Sequence, residues 1–137
     1  MTVKATTPFQ VYLTVKGGTE AIDFYRAAFG ATETMKQMAE DGNRVLHATL
    51  EMLGHHIMLS DEFPEHETRV KSPTTAGAST VTVHVNLATP EEIDTVMSQA
   101  MAAGAEITMP AAKMFWGAYY GRLIDPFGHS WSFASEM

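Results

Sequence analysis

R-L-I-D-P-F-G-H-S-W-S-F, residues 122–133, is the stretch from which the fold can be read. Asp125-Pro126-Phe127-Gly128 has the chemistry of a tight turn. Pro126 presets φ at the second position, Asp125 can bond its own backbone, and Gly128 closes the corner. Short runs of β-branched and aromatic residues lie on either side, so the segment reads as a hairpin. It also has an echo. G-H-H-I-M-L-S-D-E (54–62) laid over G-H-S-W-S-F-A-S-E (128–136) matches Gly with Gly, His with His and Glu with Glu.

The rest of the chain repeats with it. Val11-Tyr12-Leu13-Thr14-Val15 is matched by Val81-Thr82-Val83-His84-Val85, both strictly alternating. Each precedes a helix-like pattern holding Ile-Asp, at Ile22-Asp23 and Ile93-Asp94. Those helices end at Phe29-Gly30-Ala31 and Ala103-Gly104-Ala105. Strand, helix, then three strands, twice over, is a tandem duplication of a βαβββ unit. The expected fold is therefore α+β in a single domain. Module 1 covers residues 8–62, a joint 63–79, and module 2 residues 80–135.

Composition narrows the function classes. The 137 residues are 45% hydrophobic and 18% charged, a balance that suits a folded chain with its own core. A net charge of −7, with nine scattered Lys and Arg, argues against nucleic acid as a partner. The absence of Cys removes disulfides, thiolate nucleophiles and Cys-based zinc sites. No apolar signal core opens the chain and no run reaches transmembrane length, so the expected location is cytoplasmic, with no membrane partner.

In order, strand one is expected over Phe9–Val15, with Val11, Leu13 and Val15 under a helix and Gln10, Tyr12 and Thr14 on the other face. The helix should start at Thr19 as N-cap and stop at Gly30. Strands follow at Glu33–Glu40, Arg44–Met52 and His55–Ser60, the first two joined by an Asp41-Gly42-Asn43 turn. Phe63–Ser79 lacks periodicity and reads either as a linker or as a lid over a pocket.

In module 2, Thr80–Val85 should turn Val81, Val83 and Val85 to the helix and Thr80, Thr82 and His84 away. Thr89-Pro90-Glu91-Glu92 is a well-formed helix start. Ile93, Val96, Met97, Ala100 and Met101 make the apolar stripe of that helix. Glu106–Ala111, Ala118–Ile124 and His129–Ala134 complete the strands. Asp61, Glu62 and Glu136 read as rim charges.

Five stretches together resemble a known family: Y-L-T-V-K (12–16), I-D-F-Y-R-A-A-F-G-A (22–31), L-H-A-T-L (46–50), I-M-L-S-D-E (57–62) and M-F-W-G-A-Y-Y-G-R-L-I-D-P-F-G-H-S-W (114–131). The resemblance is to the vicinal oxygen chelate superfamily of glyoxalases, bleomycin-resistance proteins and extradiol dioxygenases, and within it to the PhnB-like branch. It implies curved sheets bearing a cleft, helices outside, and a homodimer. It also implies a divalent metal in enzymes of the group, whose ligand positions fall here on Gln10, Met58, Thr80 and Ser132. Only Gln10 resembles a ligand. A thioether and two neutral hydroxyls supply neither the anionic oxygens nor the imidazoles that hold such ions, so no metal or other cofactor is expected.

The remaining candidates follow from strand parity: a cleft lined by Gln10, Tyr12, Thr14, His47, Met58, Thr80, Thr82, His84 and Ser132, with Trp116 and Tyr119 near its mouth. His47 and His84, with Tyr12, Tyr119 or Tyr120, are either an acid–base or unusual metal site, or hydrogen-bonded structural histidines. His55, His56 and His129 read as structural and His66 as exposed. Phe115, Trp116, Tyr119 and Tyr120 are core, dimer interface or an aromatic ligand wall. The expected function is small-molecule binding in a metal-free cleft. The alternatives are a lyase, isomerase or dioxygenase using His47 or His84, and an interaction module with no small ligand. Some PhnB-like proteins are called ubiquinone methyltransferases, but no strand–Gly-rich loop–helix unit here could cradle an adenosyl cofactor.

Overall fold

Strand parity organises the molecule. In β1 (Tyr12–Val15), Leu13 and Val15 are buried while Tyr12 is exposed and Thr14 half-buried. The computed structural model describes all 137 residues. After β1 come α1 (Gly18–Phe29), β2 (Thr32–Met38), β3 (Val45–Met52), β4 (His55–Asp61) and a one-turn helix, α2 (Pro73–Ala76). The second half runs β5 (Thr82–Asn86), α3 (Pro90–Ala103), β6 (Glu106–Lys113), β7 (Ala118–Ile124) and β8 (Ser130–Glu136).

Two four-stranded mixed sheets result, in the orders β1-β4-β3-β2 and β5-β8-β7-β6. In each, the first strand lies parallel to the last and the other pairings are antiparallel. This is an α+β fold in which one topology occurs twice.

One face of each sheet is covered by helices, and the two halves share the core so formed. Helices α1 and α3 pack on each other. Tyr25 and Phe29 of α1 reach across to β8, with Phe29 at 4.9 Å from Trp131 and 5.9 Å from Phe133 between ring centroids. The contact between the halves has a polar centre. The buried Asp125 carboxylate accepts from the Tyr25 hydroxyl at 2.5 Å and from the Trp131 indole at 2.9 Å. Its other oxygen accepts from the amides of Phe127 and His129, which fixes the turn anticipated at Asp125–Gly128. Burial holds the Tyr25 hydroxyl well above its usual pKa, with the Asp125 charge adding to the effect.

Several expectations need correcting. Helix α1 begins at Gly18 with Gly17 as N-cap in the left-handed region, so Thr19 caps nothing. The cap comes from the end of β4. Asp61 is a buried carboxylate that accepts from Gly17 N at 2.7 Å, Gly18 N at 3.0 Å and Val45 N at 2.7 Å, so it is no rim charge. A methyl group on Gly18 would stand 2.6 Å from that carboxylate, so the close approach requires glycine.

β1 starts at Tyr12 and β5 at Thr82, which leaves Gln10, Thr80 and Val81 outside the strands and exposed. Met101 is exposed too. The segment after β4 is fastened down. Arg44 pairs with Glu65 at 2.6 Å and lies over the Phe63 ring, while Glu62 accepts from Ser72 N at 2.6 Å. In α3, Thr89 accepts from Glu92 N with Pro90 in the first turn, as its sequence dictates. No helix is long and apolar enough to cross a membrane.

Candidate functional site

With one face of each sheet given to helices, the opposite faces carry the polar and aromatic side chains. On the first sheet, Tyr12 and Met58 are paired in register, as are Thr14 and Ser60, and Thr49 pairs with Met58. The Tyr12 hydroxyl bonds His47 Nδ1 at 3.0 Å, and His47 Nε2 bonds Thr49 Oγ1 at 3.2 Å. The two rings are 5.5 Å apart. Tyr12, His47 and Thr49 are thus a closed network on one face, and Met58 and Thr14 share that face.

On the second sheet, β5 and β8 align Thr82 with Ser130 and His84 with Ser132. Each pair is bonded through its side chains, Thr82 to Ser130 at 2.9 Å and His84 Nδ1 to Ser132 Oγ at 2.7 Å. His84 Nε2 faces Asn86 Oδ1 at 2.9 Å, so that nitrogen donates and Nδ1 accepts the Ser132 proton. Tyr120 on β7 stacks against His84, centroids 6.3 Å apart, and Trp116 meets Tyr120 edge-on at 6.0 Å. Arg122, two residues along β7, donates to Thr82 at 2.8 Å and to Ser130 at 3.2 Å.

Tyr119 is not part of this face. Alternation in β7 turns it to the helix side, where its hydroxyl donates to Asp94 on α3 at 2.7 Å, a bond that raises its pKa. Tyr120 occupies the position expected for it, and Arg122 was not among the expected residues at all. The signal was present in the sequence: Tyr120 and Arg122 share parity with each other and oppose Leu123, which is buried.

Two pockets border these faces. One, of about 450 Å³, lies on the second sheet beside α2 and is lined by Thr80, Thr82, Arg122 and Ser130 among others. The second, of about 580 Å³, lies at the seam between the halves and brings Gln10 and His56 together with His84 and Asn86. Tyr12, Thr14, His47 and Met58 line neither. His129 Nε2 donates to the Thr14 carbonyl, 2.8 Å away, and so ties the halves together.

The positions that the resemblance assigns to a metal do not converge. Gln10 lines one pocket and Thr80 the other, Met58 lines neither, and Ser132 is buried against His84. No three His, Asp or Glu side chains are grouped as metal ligands would be. His47 and His84 each have both ring nitrogens bonded to protein groups, so neither offers a lone pair without first losing a bond. These donors do not fit a divalent ion.

Comparison with known proteins agrees with the fold. Residues 7–133 match the model of the Glyoxalase/Bleomycin resistance protein/Dioxygenase superfamily. Protein Mb0911c of Mycobacterium bovis is 34% identical over 127 residues, which cover 92% of this chain and 81% of that protein. A Bacillus cereus structure, described as a putative 3-demethylubiquinone-9 3-methyltransferase, PhnB protein, superposes with a TM-score of 0.71. It is 24% identical, with 94% of this chain and 99% of that one covered. The Arabidopsis thaliana gene product At5g48480 is 27% identical with a TM-score of 0.69, covering 95% of this chain and 99% of its own.

Proposed function

Because the chain belongs to the Glyoxalase/Bleomycin resistance protein/Dioxygenase superfamily, we propose that it binds a small molecule without a metal, on the outer face of its second sheet, in the cytoplasm. The observation that carries this reading is the row of His84, Tyr120 and Trp116 on that face, linked by the Arg122–Tyr120 contact to a pocket of about 450 Å³ that Arg122 lines and the rings do not. It combines stacked rings with a few placed polar groups, which is how small-ligand sites are built. Gln10, Tyr12, Thr14, His47 and Met58 fall on the first half, where a second copy of the chain could bring them to the same ligand. Phe115 and Trp116 are 97% and 55% exposed beside one another, so this face suits a homodimer.

Two other activities fit less well. Acid–base chemistry at His84 has one argument for it, the Ser132–His84–Asn86 relay. Yet Ser132 is almost fully buried, out of reach of a substrate. A methyltransferase needs a cofactor cradle at the switch point of a parallel sheet, and both sheets here are mixed.

Trp116 is exposed and Trp131 is 1% exposed, so fluorescence quenching by an entering ligand reports on the first. A screen of small aromatic compounds by Trp fluorescence and thermal shift should find binders whose signal is lost in Trp116→Phe. The melting temperature should not respond to EDTA or to Ni, Co, Mn or Zn. A metal-dependent rise would reverse the reading, since an ion at a hundredfold excess over its Kd adds about 2.7 kcal/mol.

A further inference from the structure

The sequence contains four arginines, and three are paired with carboxylates: Arg26 with Asp23, Arg44 with Asp41 and Glu65, Arg69 with Glu67. Arg122 is the exception. Its Nη2 donates to the hydroxyls of Thr82 and Ser130, and its Nη1 makes a longer contact of 3.3 Å with the Tyr120 hydroxyl. Its Nε–H has no acceptor. No Asp or Glu lines the pocket that it borders. In a chain with sixteen acidic residues and a net charge of −7, a half-buried guanidinium without a carboxylate stands out.

The hydroxyls beside it have a proton to spare. Thr82 and Ser130 both accept from Arg122, and a single proton serves the 2.9 Å bond between them. One hydroxyl proton therefore remains for another acceptor. A guanidinium edge and a hydroxyl donor, turned to one pocket with no anion supplied by the protein, are complementary to an external oxyanion. We infer that Arg122, Thr82 and Ser130 form an oxyanion subsite for the carboxylate or phosphoryl group of a small organic acid. Its aromatic or apolar body lies along Tyr120 and Trp116. The inference rests on the reading of this face as the ligand face and adds the charge of the ligand.

The test uses three probes with one ring system and different heads: 1-naphthoate, 1-naphthyl phosphate and 1-naphthamide. The ¹H–¹⁵N spectrum of the whole protein is followed in each titration, including the Arg122 Nε–H signal. At least one acid should bind about tenfold or more tighter than the neutral amide and shift that signal. The better acid identifies the head group. In Arg122→Gln the ratio of acid to amide affinity should fall to about one, and Thr82→Val should reduce it with the charge left in place. The comparison of acid with amide on the wild type stands even if the variants fold poorly. Equal binding of acids and amide would remove the subsite and leave the binding face. No binding of any probe at millimolar concentration would remove both.

Discussion

Replacing Asp61 with alanine should destabilise the protein far more than its place at a strand end implies. The carboxylate is 6% exposed and is the acceptor for three backbone amides, those of Gly17, Gly18 and Val45. Each buried donor left without a partner costs about 1–3 kcal/mol. Loss of a negative charge at the start of α1 adds roughly 0.3–1 kcal/mol. Gly17 is half-buried, so water can rescue its amide in part. The expected cost is therefore about 3–5 kcal/mol, a large share of the roughly 5–15 kcal/mol that holds a domain together. Urea unfolding should show a lower midpoint with an unchanged slope, moved by roughly 2 M if the slope is near 2 kcal/mol/M. Ser135 is the repeat partner of Asp61 and supplies the control. Its hydroxyl is buried with no hydrogen-bond partner, so Ser135→Ala should be neutral or slightly stabilising. A loss below about 1 kcal/mol for Asp61→Ala, or similar losses for both variants, would refute the capping argument.

Tyr25→Phe should cost about 2 kcal/mol at neutral pH, since it deletes a buried bond to a carboxylate. The raised pKa of Tyr25 also fixes a pH dependence. Its contribution is complete below the unfolded value near 10 and is lost as pH rises above it towards the folded value, by up to about 1.4 kcal/mol per pH unit. Urea midpoints from pH 8 to 11 should thus fall less steeply in Tyr25→Phe than in the wild type, and parallel curves would count against a protonated Tyr25 between the halves. Sedimentation at micromolar concentration should give a dimer that Trp116→Glu with Phe115→Glu converts to monomer; a monomeric wild type would contradict the homodimer proposal.

The fold was legible because strand faces depend only on parity. Val11, Leu13 and Val15 read as inward whichever end of the strand is frayed. The turn at Asp125 was legible because Pro, Asp and Gly each act within the turn itself. Asp61 was not legible, because its partners Gly17 and Val45 lie 44 and 16 residues away in sequence and a carboxylate at a strand end is usually solvated. Thr19 misled for the complementary reason: a local cap signal lost to a distant carboxylate. On the outer face of the second sheet, the placement of Thr82, His84 and Ser132 follows from alternation, whereas Tyr119 faces α3 and its neighbour Tyr120 takes the outer face. Adjacent tyrosines take opposite faces, and Tyr119 shares the parity of buried Leu123 while Tyr120 opposes it. Arg122 adjoins the turn motif in sequence, and its lack of an acidic partner is visible only in three dimensions.

The register shows how far the two halves have diverged. Tyr12 and Thr49 both pair with Met58, and His84 and Arg122 both pair with Ser132. The structural counterpart of Tyr12 is therefore His84, two residues further on than the sequence match of the first strands implied. An even shift leaves every side chain on its own face, which is why the parity argument survived it. Two residues before Thr49 and Arg122 stand His47 and Tyr120. A tyrosine–histidine pair thus occupies the same two places in both halves, with the residues exchanged: Tyr12 with His47, and His84 with Tyr120. The third place differs in charge. Thr49 closes the first network with a neutral hydroxyl, whereas Arg122 leaves a cationic edge open in the second. Two faces built on one plan, with the charge on only one of them, would hold opposite ends of an unsymmetrical ligand if a second copy brought them together. On the proposed binding reading, the acidic end of such a ligand would lie at Arg122 and its neutral end at Tyr12 and His47.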